Sequence, residues 1–347
     1  MIPASTFQPV DTATQSTLIW PDGSLSLQRR GAMIRDLTLR TEDGSIVRPL
    51  HTAPWVGTPE ADGLTGLMQG LSGEWPCVPF GVAHDGLPAE WTAPSGWEDP
   101  FAHGYGAHHD WDIAVTPDSI EAQIDYPADH PIQSLRRRLT PSKHGITIEL
   151  WVQPRRDCRL PIGLHPVFSL SSKPQSTEVI VHRANQVWSH PQVSSDDPTP
   201  ARDNARSASL ETIQSFHSSP LDFSRLPRLE QSETRLLALG CDGRVTLRDR
   251  GSGIQRHLDF DPEQFPFVML WVSNQGRAAA PWSRRHLALG VEPVRAAFDL
   301  GTATSAQANP LSATGQDTTF DLRADQPFYT RYAISVSSGA AGPVDSR

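Results

Sequence analysis

Between Gly145 and Gln153, four apolar side chains, Ile146, Ile148, Leu150 and Val152, take every second position, with Thr147, Glu149 and Trp151 between them. A strand turns successive side chains to opposite faces, so this alternation fits a half-buried antiparallel strand. Similar short runs recur along the chain. They include Ser16–Trp20, Ser24–Arg29, Ser119–Tyr126, Ser134–Thr140, Thr177–His182, Gln186–Trp188, Leu236–Leu239, Gly243–Arg248, Gly253–Asp259, Phe265–Ser273, Thr318–Leu322 and Phe328–Val336. Turn residues separate them, as in Pro21-Asp22-Gly23 and Glu42-Asp43-Gly44-Ser45, the second of which predicts a hairpin over Gly31–Leu50. No stretch of ordinary helix length repeats apolar residues at the 3.6-residue helical period. The 25 glycines and 31 prolines follow no repeat and so mark turns. The pattern predicts one nearly all-β domain over residues 16–336, a sandwich of twisted antiparallel sheets, with loose termini at 1–15 and 337–347. Residues 191–235 are polar and predict long loops with one short helix near Ser209–Phe216.

Charge and cysteine usage narrow the partners. A formal net charge of −9 with no basic stripe argues against nucleic acid. The small basic clusters Arg136–Arg138 and Arg155–Arg156 read as solvated strand faces. Cys77, Cys158 and Cys241 are too few and too far apart for a zinc motif or a disulfide framework, which suggests a reducing compartment. The first residues, MIPASTFQPVD, lack a basic and an apolar region of a signal peptide, and no run approaches the roughly 20 apolar residues of a membrane helix. A cytoplasmic protein with no membrane partner is the expectation.

Three segments could carry chemistry. Leu160–Leu170 holds His165 between Leu164 and Pro166 in an apolar run. Proline keeps the residue before it extended, so the imidazole projects sideways from a strand, where it can give or take a proton near neutral pH. His286–Val294 holds Glu292, again before a proline and the lone carboxylate of its run. Burial there would raise its pKa and make it a better base. Phe101–Trp111, FAHGYGAHHDW, offers His103, His108 and His109 with glycines that allow tight turns. Its histidine spacing matches no zinc or iron pattern. Trp111 could present an aromatic face to a sugar or pack in the core. No phosphate-cradling glycine loop and no Gly-x-Ser-x-Gly elbow is present.

Taken in order, these blocks resemble the aldose 1-epimerase (galactose mutarotase-like) family. WPCVPFGV over residues 75–82 resembles the family's Pro-Phe segment, and His103-Gly104 with Trp111 its His-Gly…Trp block. Gly163–Phe168 resembles its His-Pro-Tyr-Phe block, with Val167 at the tyrosine. Trp271, Ser273–Arg277, Pro281-Trp282 and Gly290–Pro293 resemble its C-terminal glutamate block. The resemblance spans roughly residues 16–336. It implies a large β-supersandwich and an isomerase of carbohydrate metabolism that interconverts sugar anomers without metal or cofactor. It also implies Glu292 as general base, His165 as general acid, and His103, Trp111 and Phe80 as substrate-binding residues. The partner would be a small-molecule sugar.

The chain departs from the family pattern after Phe80, where Gly81-Val82 replace the common Asn-Arg. The family's sugar-binding aspartate has Asp222 and Asp242 as stand-ins. Two other readings follow: a carbohydrate-binding or regulatory relative without turnover, and a histidine-metal hydrolase built on His103, His108 and His109.

Overall fold

The computed structural model describes residues 14–93, 95–192 and 198–339. The loose termini expected at either end lie largely outside these residues. The first strand is Gln15–Trp20 and the last is Phe328–Ser337. Two large antiparallel sheets of eight and nine strands dominate, with a four-stranded sheet built from the first hairpins and a two-stranded ladder beside them. Among the described residues the longest helix, Gly301–Ala306, has six residues. The fold is therefore the all-β supersandwich expected, and the alternation over Gly145–Pro154 is realised residue by residue, with Ile146, Ile148, Leu150 and Val152 inside.

Three strands of the eight-stranded sheet set up everything that follows: Ser232–Leu239, Phe267–Asn274 and Leu287–Arg295 lie side by side. Because a strand's side chains alternate, each contributes two rows. Leu236 and Ala238, Val268, Leu270 and Val272, and Leu289 and Val291 join a core cluster that also takes the nine-stranded sheet's Ile146, Ile148 and Leu150. That cluster draws residues from Leu18 to Val336. Leu237 and Leu239, Phe267, Met269 and Trp271, and Ala288 and Val294 join a second cluster with Trp55, Trp75 and Trp91. The second cluster lies on the sheet's outer face, where the loops on either side of residue 75 cover it.

Several local expectations change. Asp112–Val115 is an additional strand at the edge of the nine-stranded sheet. Within 198–231, one 3-10 turn at Leu210–Thr212 stands where a short helix was expected. Ile213, Phe223 and Leu226 of this polar segment reach the core. The basic cluster Arg136–Arg138 is no solvated face. Arg137 is fully buried against Glu74 and Arg136 is buried against Glu121. Among the described residues no helix is long and apolar enough to cross a membrane.

Candidate active site

The Leu287–Arg295 strand pairs on one side with Phe267–Asn274, from Leu287 to Val294. On the other side it meets two short strands, Ile162–Leu164 and Val167–Ser169, through Gly163↔Val294 and Val167↔Gly290. His165 and Pro166 sit in the gap between these two, across from Val291, Glu292 and Pro293. Proline has no N–H to give a ladder, so the interruption falls where Pro293 could not have bonded anyway. The breach brings the two titratable side chains together: His165 Nε2 is 3.4 Å from Glu292 Oε1. Gly290, on the same face as Glu292, leaves room for this carboxyl, since a Cβ at that position would stand 2.4 Å from Glu292 Oε1 and displace it.

Both groups line a cavity of about 230 Å³ together with His103, Arg235, Asp299 and Arg277. Trp75, Trp271 and Trp282 supply its aromatic wall. Trp75 lies flat on His165, with ring centroids 4.1 Å apart and planes 18° apart, and its carbonyl accepts the His165 N–H at 3.0 Å. His103 stands edge-on to His165 at 5.0 Å. Its backbone is in the left-handed region, φ 63°. The following Gly104 is also left-handed and packs so close to Val78 that a Cβ would lie 2.2 Å from the Val78 carbonyl. That approach explains the His-Gly pairing in physical terms.

The site is short of partners. Glu292 Oε1 and Oε2, His165 Nδ1 and His103 Nδ1 are buried without a hydrogen bond. Burial pushes the Glu292 carboxyl well above its usual range, and the charge of Asp299 adds to this. Burial likewise holds His165 well below the ordinary histidine value and His103 at about 4. Burial therefore favours the uncharged form of all three groups. A group that leaves several buried polar atoms unpaired is poised to gain hydrogen bonds from a ligand.

Two expected binding residues stand elsewhere. Trp111 is fully buried between the large sheets, and its indole N–H donates to the Gly106 carbonyl at 2.8 Å. It lies at the entrance to the Asp112–Val115 strand and so belongs to the nine-stranded sheet's side of the core. The aromatic wall comes instead from Trp75, Trp271 and Trp282. Phe80 is also fully buried and does not line the cavity; it packs edge-on against His103 at 5.0 Å and so backs that ring.

Of the FAHGYGAHHDW histidines, His103 and His108 line the cavity and His109 does not. His108 Nε2 bonds the Ala102 carbonyl and its Nδ1 accepts the Leu67 N–H, while His109 stacks on Tyr105. Among the described residues no three His, Cys, Asp or Glu side chains are grouped to hold a metal ion. Neither aspartate stand-in reaches the cavity. Asp222 accepts from Ser224 in a turn, and Asp242 pairs with Arg183 at the surface.

Arg235, Met269, Asp299 and Arg277 were not singled out from the sequence. Cross-strand register would have found the first two. Glu292 lies opposite Met269, and its neighbour on the same face, Gly290, lies opposite Trp271, which in turn lies opposite Arg235. In the sequence Arg235 closes the polar stretch 191–235, where no strand is expected. Asp299 follows the strand in an irregular segment and gives no periodic signal.

The site is thus a buried histidine and glutamate facing an aromatic-walled cavity on a β-supersandwich. No protein-family model and no curated protein matches the chain. Solved structures do. A protein of Synechocystis sp. PCC 6803 aligns with a TM-score of 0.63 at 14% identity, over 96% of this chain and 99% of its own. A galactose mutarotase related enzyme from Lactobacillus acidophilus gives 0.60 at 13% identity, over 94% and 98%. The GalM/aldose epimerase homologue from C. elegans gives 0.60 at 13% identity, over 94% and 99%. At such identities the likeness speaks to fold: the chain has the galactose mutarotase-like fold over nearly its whole length.

Proposed function

We propose that this protein is an aldose 1-epimerase, a mutarotase that interconverts the α and β anomers of a free aldose or aldose derivative. The observation that carries the reading is the His165–Glu292 pair, 3.4 Å apart and facing one cavity with both carboxyl oxygens unpaired. Ring opening of a hemiacetal needs one proton taken from the anomeric hydroxyl and one given to the ring oxygen. Glu292 takes the first as base and His165 gives the second as acid. The C1–O5 bond breaks, the C1–C2 bond rotates, and closure by the reverse transfers yields the other anomer. The pair needs one proton in total. Burial favours its resting place on Glu292, and the same proton on His165 gives the reactive form without any exchange with solvent.

The cavity supports a small ligand, since about 230 Å³ lies below the range of drug-sized sites. Trp75, Trp271 and Trp282 suit the apolar face of a pyranose, and the unpaired His103 Nδ1 suits a hydroxyl. A second reading, a carbohydrate-binding relative without turnover, is favoured by Gly81-Val82 standing where the family commonly has Asn-Arg. Polarimetry on freshly dissolved aldoses, with calorimetric binding of the same sugars, separates the two. Faster equilibration of at least one sugar is the expected result. Saturable binding with no change in rate on any sugar would favour the relative.

A further inference from the structure

Beyond the acid–base pair, the cavity wall holds one more carboxylate, Asp299. Its backbone is pinned on both sides. Its carbonyl accepts the Val82 N–H at 3.0 Å, and the preceding Phe298 is fully buried at φ 50°, a strained conformation for a bulky residue. The side chain is oriented as firmly. Oδ1 accepts from His190 Nε2 at 2.9 Å, and Oδ2 accepts from Arg235 Nη1 at 2.7 Å.

A carboxylate has about four lone-pair sites. The protein fills one on each oxygen of Asp299 and leaves one on each. Burial alone would push this carboxyl up, but Arg235 and then His190 draw it well below the usual carboxylate range. The two donors that hold it favour its charged form, which only accepts hydrogen bonds. Two acceptor sites side by side call for two donors on neighbouring atoms. A group that presents two adjacent donors to Asp299 fits these sites. A vicinal diol does this. A carboxylate or phosphate does not, because Asp299 repels it.

We infer that Asp299, held by Arg235 and His190, is the recognition site for a vicinal pair of hydroxyls on the sugar. The inference rests on the reading of the cavity as a sugar site and adds to it the group that sets specificity. It also gives the Gly81-Val82 departure a role. These residues supply only backbone, Gly81 accepting the His103 N–H and Val82 donating to Asp299, while the charged groups come from Ser232–Leu239 and from the segment after Leu287–Arg295.

The test compares aldohexoses with their 2-, 3-, 4- and 6-monodeoxy analogues, by calorimetric binding and by anomer-exchange NMR, in wild type and Asp299→Asn. Wild type should lose ~10- to 100-fold in affinity for analogues lacking either of two adjacent hydroxyls. In Asp299→Asn that penalty should shrink to within ~3-fold, with weaker binding of the parent sugar. Should Asp299→Asn fail to fold, Arg235→Lys removes the guanidinium fork and keeps the charge, and the same selectivity should fade. Equal penalties in wild type and variant, with turnover present, overturn this inference alone. No binding of any parent aldose by wild type overturns the sugar reading and this inference with it.

Discussion

Glu74 and Trp75 are consecutive residues that serve two buried clusters of opposite character. Glu74 points into the core between the sheets, where Arg137 and the Tyr332 hydroxyl partner its two oxygens. All three side chains are buried, and Arg137 also donates to the Ala32 carbonyl. Trp75 faces the other way, flat on His165, beside a carboxyl whose two oxygens accept no hydrogen bond. Both Glu74 and Glu292 are almost wholly inaccessible. Burial therefore does not separate the acid in the core from the acid at the cavity; the state of its hydrogen bonds does. A buried carboxylate whose oxygens are both hydrogen-bonded can hold a fold together, and one whose oxygens are not costs stability that a ligand can return.

The contrast can be broken most severely at Arg137. Arg137→Met leaves Glu74 buried with one partner gone and should destabilise the protein by about 3–5 kcal/mol. Urea unfolding reads this directly; a loss below 1 kcal/mol would mean that the Glu74 cluster is not what holds this part of the core.

Acid should act on the other cluster. In the unfolded chain His103 takes up a proton near pH ~6.5, but in the folded chain burial lowers its value to about 4. The unfolded state then binds more protons in that window. The stability tied to the neutral ring is complete above ~6.5 and is lost as pH falls toward the folded value, at about 1.4 kcal/mol per pH unit. His103→Gln should flatten the stability profile by that slope, and an unchanged profile would place the acid sensitivity elsewhere.

The smallest effect is expected at Trp111, which separates a core aromatic from the cavity's own. Trp111→Phe loses one buried hydrogen bond and some volume, about 1–2 kcal/mol, and should leave the sugar KM within ~2-fold. A large rise in KM with unchanged stability would return Trp111 to the site.

How much of this could be read in the sequence follows from where periodicity is strong. The alternation of Ile146, Ile148, Leu150 and Val152 needed no context, and the X-Pro settings of His165 and Glu292 marked two extended segments that do meet. Trp111 was misplaced because an aromatic next to His103 in sequence belongs to a different sheet, and nothing local reports that. Arg136–Arg138 was misread as a solvated face because the partner that buries Arg137, Glu74, lies 63 residues away. Asp299 was silent because its position depends on a left-handed Phe298 in an irregular segment, not on any period.

The most direct measurement is anomer-exchange NMR on the fastest aldose with wild type and Glu292→Gln, with unfolding free energies taken on the same samples. The unsatisfied carboxyl should be dispensable for the fold and indispensable for the reaction. Exchange should fall ~100- to 10,000-fold while stability stays within about 1 kcal/mol of wild type. Unchanged exchange in a stably folded Glu292→Gln would contradict the assignment of this carboxyl as the base, and a collapse of stability would show that it belongs with Glu74 among the structural acids.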